Sequence, residues 1–240
     1  MTQTTVFGDF KQQLESAGFD ITHAFHFNSL GPMKRYLPIN QADDTAVAVL
    51  VGNSKAVWRP FLQWLSEQPV VPDDPFEAYT MSIISSLTNA FYASATALWA
   101  HETRAYTIPI QQLAHASGLA YLSRGQFNIH PQYGPWFALR ALVVVSGEFD
   151  GPINQLRPPA NPVASEIEVE SGKLFMQLCQ RAYATSDHLR VHWEEWLELR
   201  DLYGIGTEFR YGDDQMRYHY TADPMVLDVA LEHFRNSQHY

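Results

Sequence analysis

The chain is nearly without thiols: among 240 residues only Cys179 carries one. A single thiol builds no disulfide framework, zinc quartet or iron–sulfur cluster. Cys179 closes the apolar stretch Leu174-Phe-Met-Gln-Leu-Cys and is expected as a buried, inert thiol on a helix. Basic residues are also scarce, 16 Lys and Arg against 26 Asp and Glu, for a net charge of −10. Phosphate backbones are bound by clustered cations that release counterions, so nucleic acid is excluded and a small polar ligand or a protein partner fits better. Long apolar runs are missing: the longest, around Trp136 to Val145, falls well short of the ~20 residues of a membrane span. The start, Met1-Thr-Gln-Thr-Thr-Val-Phe, has neither the basic nor the apolar region of a signal peptide, so a cytoplasmic location is expected.

Familiar catalytic signatures are absent too. There is no phosphate loop, dinucleotide glycine fingerprint, nucleophile-elbow serine or zinc-protease helix. His188 and His192 stand four apart, and both could reach one metal from a helix face, but no third ligand lies near them. They read as helix histidines at a surface. His23 and His26 fall on opposite faces of a strand. No metal site and no side-chain nucleophile is expected.

What is present is ordinary for a globular protein, with 46% hydrophobic and 18% charged residues. The length suits one large domain, 1–240. Phe7, Phe10, Leu14 and Ala17 mark a helix face stopped by Gly18. Strands are expected over Phe19–Phe27 and Thr45–Val51, and Ser54 as N-cap of a helix carrying Val57, Trp58, Phe61, Leu62 and Leu65. A second helix starts near Pro75 and runs through Phe91. Ala97–Ile108 reads as a strand, and Pro109 as the first turn of a helix stopped at Gly118. Short strands follow near Phe127–Ile129 and Trp136–Ser146. Gly151–Pro162, with four prolines, is an irregular crossing segment. Helices are expected over Ser171–Ala184, His188–Leu202 and Asp223–Phe234, with Asp223 as N-cap and Pro224 at N1. Strands interleaved with helices, then a helical tail, give an α+β or α/β single domain.

One segment invites a ligand. After the helix stop at Gly118 come Leu122, Ser123, Gln126 and Asn128, with Gly125 and Gly134 permitting close backbone approach or positive φ. A flat macrocycle edged with amides would suit such short polar side chains, over an apolar floor of Trp136 and Phe137. Taken by themselves, the same residues read first as an ordinary connection with two turns.

The pattern Ala-His-Ala-Ser-Gly-Leu-Ala-Tyr at 114–121 and Ile-His-Pro-Gln-Tyr-Gly-Pro-Trp-Phe-Ala-Leu-Arg at 129–140 resembles the CblC-type cobalamin-processing family. A looser similarity reaches the corrinoid-binding domains of epoxyqueuosine reductase and reductive dehalogenases. His192-Trp-Glu-Glu-Trp-Leu-Glu-Leu-Arg-Asp at 192–201 resembles a second block of the CblC type, continued in order by Arg210-Tyr211 and Tyr218-His-Tyr-Thr. The resemblance covers about Ile108 to Leu227, and the first hundred residues only in element order.

The resemblance implies a nitroreductase-like, antiparallel-rich sheet flanked by helices, and a single corrinoid-binding domain over 1–240. It implies cobalamin held with its lower base detached, and removal of its upper ligand by glutathione-dependent dealkylation or reductive decyanation. Positions matching corrinoid contacts are Ile108, Pro109, Ile110 and Gln111, then Leu122, Ser123 and Arg124, then Asn128. Those matching the glutathione carboxylate site are Arg140 and Arg200; an Arg fork grips a carboxylate in two places. The two residues at one-turn spacing before Arg200 are Trp196 and Leu197, so a helical salt bridge lacks its acid. The family's third glutathione arginine falls at Val226, with Arg210 or Arg217 as substitutes. A non-catalytic corrinoid carrier that hands the cofactor to a downstream enzyme is the alternative. A flavin-dependent reductase stands last, because no basic, Ser/Arg-rich segment suits a flavin mononucleotide phosphate. Monomer and homodimer both remain open.

Overall fold

The computed structural model describes residues 5–39, 42–182 and 188–237. They form two compact units, each assembled from separate stretches of chain: residues 1–119 with 138–158, and 120–137 with 159–240.

The first unit is built on a four-stranded antiparallel sheet in the order β1-β2-β6-β3. Its strands are β1 (Ile21–His26), β2 (Val47–Asn53), β3 (Ala95–Trp99) and β6 (Ala138–Val145). All seven residues of β2 are buried, as a central strand covered on both faces requires. Helices α1 (Val6–Ser16), α2 (Trp58–Ser66), α3 (Pro75–Phe91) and α4 (Ile110–Ala116) complete this unit. Their ends follow local chemistry. Thr5 caps α1 by accepting the Gly8 amide, and the Ser54 hydroxyl accepts the Ala56 amide at the 3-10 turn leading into α2. Gly18 follows α1 at φ +83° and Gly118 follows α4 at φ +88°, the left-handed stops expected of them.

The Ala97–Ile108 strand is shorter than periodicity predicts. Its last ladder bond is Ala100 N–H to the Arg140 carbonyl. The Glu102 carboxylate then accepts the amides of Arg104 and Ala105, and the Tyr106 hydroxyl accepts the amide of Trp99, folding 100–106 back on the strand end. Phe27–Tyr36 forms two 3-10 turns broken at Gly31, an element without a clear periodic signal.

The second unit holds the small hairpin β4 (Tyr121–Leu122) and β5 (Asn128–Ile129) and the helices α5 (Ser165–Ala182), α6 (His188–Val191), α7 (Trp193–Asp201), α8 (Asp213–Thr221) and α9 (Pro224–Ser237). Helix α5 begins six residues before the expected Ser171, with Glu166 and Glu168 in its first turn. The Ala184 end expected for it lies outside the described residues. Cys179 is half-exposed, not buried: the covered face of α5 runs through Ser171 and Leu178, and Cys179 turns away from it. The His188–Leu202 helix is two helices, broken where His192 leaves helical geometry at φ −116°, ψ 37°. No group of three metal-ligating side chains occurs among the described residues. Asp223 caps α9 by accepting the Met225 amide. Helix α8 and strand β4 are elements the sequence pattern does not reveal. No helix among the described residues is long and apolar enough to cross a membrane.

His23 on β1 donates its Nε2 proton to the Ser117 carbonyl at 2.8 Å. Burial pulls its pKa below the usual histidine value, against the opposing effect of that bond. The folded chain then takes up the second ring proton, at Nδ1, less readily than the unfolded one, so stability falls as pH drops below about 6.5, the unfolded value. Urea midpoints at pH 7.5 and 5.5 should differ by more for wild type than for His23→Gln. Equal differences would remove His23 as the cause.

Candidate functional site

The sequence-predicted residues fall in three places. In the first unit, Ile108, Pro109, Ile110 and Gln111 lead into α4. Ile108 is buried, Pro109 and Ile110 are half-buried, and Gln111 is exposed. Arg140 is also in this unit, on β6. Its Nε donates to the Asn53 side-chain oxygen at 2.7 Å, and its guanidinium lies 4.5 Å from the centre of the Phe76 ring. The β2–β6 register shifts between Val51 and Gly52, which face Ala141 and Leu139, so Arg140 is the extra, bulged residue of β6; a Cβ on Gly52 beside it would lie 2.6 Å from the Ala138 carbonyl oxygen. The Arg140 fork is thus oriented before any ligand arrives.

In the second unit, Leu122, Ser123, Arg124 and Asn128 come together on the β4–β5 hairpin. Ser123 and Asn128 are buried, Leu122 is half-buried, and Arg124 is exposed. The Ser123 hydroxyl pairs with the Tyr203 hydroxyl at 2.6 Å and accepts the Phe127 amide at 3.2 Å. Gly125 and Gly134 do permit close approach, but to the protein itself. A Cβ on Gly125 would lie 2.3 Å from the Tyr203 hydroxyl, and one on Gly134 would lie 1.9 Å from the Ile205 carbonyl oxygen. Trp136 and Phe137 are no open floor, being 1% and 6% exposed.

Arg200 is the most unusual of the predicted residues. It is buried on α7, with Nε and Nη2 donating to the Pro135 carbonyl at 2.9 and 2.7 Å, and Nη2 also reaching the Phe137 carbonyl at 3.2 Å. The rings of Trp136 and Tyr211 lie 4.8 Å from its guanidinium carbon and that of Phe127 at 5.7 Å. Burial works against its charge, while the phenols of Tyr211 and Tyr220 hold its pKa above the ordinary arginine value. Among the described residues no carboxylate pairs with it. The absent salt bridge inferred from Trp196 and Leu197 is therefore replaced by main-chain acceptors and ring faces.

At the position of the third arginine, Val226 is buried on α9. Arg210 is committed to Asp201 through two bonds of 2.9 and 3.0 Å, while Arg217 is exposed on α8. Residues not anticipated from sequence are Asn53 and Phe76 beside Arg140, and Glu168, Ser171 and Tyr203 beneath the hairpin. No spacing signal marks them, because each acts across a long stretch of chain.

No family model matches the chain. It is 28% identical over 236 residues to a cyanocobalamin reductase / alkylcobalamin dealkylase of Danio rerio, covering 88% of this chain and 86% of that protein. It is 26% identical over 250 residues to the protein of the same description from Bos taurus, covering 93% and 81%. The similarity thus extends well into the first hundred residues, beyond the blocks from Ile108 to Leu227. Among solved structures, the B12-trafficking protein CblC of C. elegans superposes with a TM-score of 0.66 at 16% identity, covering 92% of this chain and 94% of that one. The architecture is accordingly the α+β, nitroreductase-like one, with an antiparallel sheet, flanking helices and a helical C-terminal part. In sequence over most of its length, and in fold, the chain resembles the CblC-type cobalamin-processing proteins.

Proposed function

We propose that this protein binds a corrinoid with its lower base detached and removes the upper axial ligand, by glutathione-dependent dealkylation or by reductive decyanation. The observation that carries the reading is the similarity to cyanocobalamin reductase / alkylcobalamin dealkylase proteins along about nine-tenths of the chain. The corrinoid is the substrate, contacted by Ile108, Pro109, Ile110, Gln111, Leu122, Ser123, Arg124 and Asn128, and residues 1–240 serve as one corrinoid-binding domain in the cytoplasm. In dealkylation the thiolate sulfur attacks the alkyl carbon, a thioether forms, and the electron pair of the cobalt–carbon bond stays on cobalt. The protein contributes orientation and charge, and the corrinoid carries the bond chemistry.

Arg140 is assigned to a glutathione carboxylate. Its support is the fork held by Asn53 and Phe76, which lowers the ordering cost of a two-point grip. Positive charge near the thiol also raises its thiolate fraction. Arg200 is assigned to the same co-substrate by resemblance, with its donors turned largely to the Pro135 and Phe137 carbonyls. A second reading, a carrier without turnover, is favoured by buried Val226 and by the pairing of Arg210 with Asp201.

The test is an absorption spectrum with methylcobalamin, with and without glutathione. The enzyme reading expects a base-off shift followed by glutathione-dependent loss of the methyl group; a base-off shift alone supports the carrier. No spectral change, from a protein that purifies yellow, would overturn both. Arg140→Ala should slow the glutathione step at least about tenfold, the scale of one charge-assisted bidentate contact, and leave the base-off shift intact.

A further inference from the structure

Glu168 is an acid where an acid is costly. It is 5% exposed on α5, although a carboxylate in the first turn of a helix would favour the dipole equally well in water. Its Oε2 accepts the Arg124 amide at 3.1 Å, with Arg124 Nε at 3.9 Å, while Oε1 meets no hydrogen-bond donor among the described residues. Burial, with the Glu168 charge adding to it, pushes the Tyr121 phenol pKa up.

Other contacts converge on the same hairpin tip. Ser123 is tied to Tyr203. Gly125 sits against Tyr203 and Ser171, and a Cβ on Gly172, four residues after Glu168, would lie 3.1 Å from the Cβ of Arg124. Gln126 is held at φ +61°, a conformation that a residue with a side chain adopts only when its surroundings impose it. The tip is therefore clamped onto α5 and Tyr203, and it carries Leu122, Ser123, Arg124 and Asn128.

We propose that Glu168 is a positioning residue for corrinoid binding: its carboxylate pins the Arg124 amide and holds the 122–128 hairpin in its binding geometry before the ligand arrives. This rests on the corrinoid reading given above. A preformed hairpin spares the ligand the cost of ordering it, so the residue acts on affinity without touching the ligand. It acts through an oxygen at the right reach, not through its charge. Replacing it by an apolar residue of matching volume removes a buried, half-satisfied acid but leaves the Arg124 amide without its acceptor, two opposed effects that keep the net change in stability small.

The experiment titrates the full chain with methylcobalamin, reading Kd from the base-off shift, alongside thermal unfolding. Glu168→Met should unfold within about 3 °C of wild type yet bind at least about tenfold more weakly, with faster hydrogen exchange at the Arg124 amide. Glu168→Gln, which keeps an acceptor at the same reach, should bind within about threefold of wild type. A merely structural role would move stability and affinity together. Wild-type affinity in the Met variant, or an equal loss in the Gln variant, overturns the proposal while leaving the corrinoid reading in place. Absence of any base-off shift in wild type overturns the corrinoid reading, and this proposal with it.

Discussion

Arg200→Ala is expected to lower stability by about 3–5 kcal/mol, the cost typical of breaking a buried charged hydrogen-bond network. The guanidinium donates to the Pro135 carbonyl twice and to the Phe137 carbonyl once. Deleting it strips these acceptors of a donor inside the fold, at about 1–3 kcal/mol per group left unsatisfied. It also leaves a cavity among Phe127, Trp136 and Tyr211, whose ring faces the cation covers. Arg200→Lys should fall between, because an ammonium has the charge but not the fork that spans two carbonyls. The measurement is the urea midpoint at unchanged slope. A midpoint equal to wild type for the alanine variant would show that the carbonyls find other donors. The consequence for function is practical. Arg200→Ala tests the fold as much as the co-substrate, so Arg140→Ala is the cleaner variant for the thiol step.

Gly134→Ala should be at least as damaging. Gly134 sits at φ +55°, and a Cβ there would lie 1.9 Å from the Ile205 carbonyl oxygen and 2.5 Å from its carbon. Those atoms are backbone, so no rotamer change relieves the overlap. The facing loop is equally tight, since a Cβ on Gly206, at φ +67°, would lie 2.4 Å from the Tyr133 carbonyl. The turn itself is closed by reciprocal bonds between His130 and Gly134, both 2.9 Å. Left-handed strain alone costs about 1–2 kcal/mol, and the clash must add to it. Gly204→Ala isolates the first part, because Gly204 has φ +62° with nothing within 4 Å of the added carbon. We expect the Gly204 variant to fold with a loss of about 1–2 kcal/mol, and the Gly134 variant to lose more than about 3 kcal/mol or to accumulate insoluble. Equal losses would mean that the 205–206 loop simply moves away.

Gly134 and Arg200 also account for the glycine and tryptophan of the 129–136 motif. In Ile129-His-Pro-Gln-Tyr-Gly-Pro-Trp, the glycine and the tryptophan are bound into the second unit, the first by the 205–206 loop and the second beneath Arg200. Short polar residues and glycines in sequence are compatible with a surface left open for a macrocycle. Much of that openness is used by the protein to hold its own hairpin and turn in place.

What the sequence determined by itself is local. Ser54 and Asp223 act as the caps expected of them, Gly18 and Gly118 end their helices, and the apolar run within Thr45–Val51 forms most of β2, which extends past it to Gly52 and Asn53. Each depends on a few neighbouring residues whose backbone preferences outweigh competing terms. Resemblance in two ordered blocks then pointed to the family likeness that the comparisons bear out. Tertiary structure decided the rest. The Ala97–Ile108 strand is cut short by Glu102 and Tyr106, the long histidine-bearing helix breaks at His192, and Cys179 turns outward from a face defined by Leu178. Glu168 looks like an ordinary helix-surface charge in one dimension, and nothing local to Arg200 shows that main-chain carbonyls hold it. Their meaning comes from Arg124, 44 residues away, and from Pro135, 65 residues away. A buried charge is set by which distant donors or acceptors the fold brings to it, and no local periodicity records that.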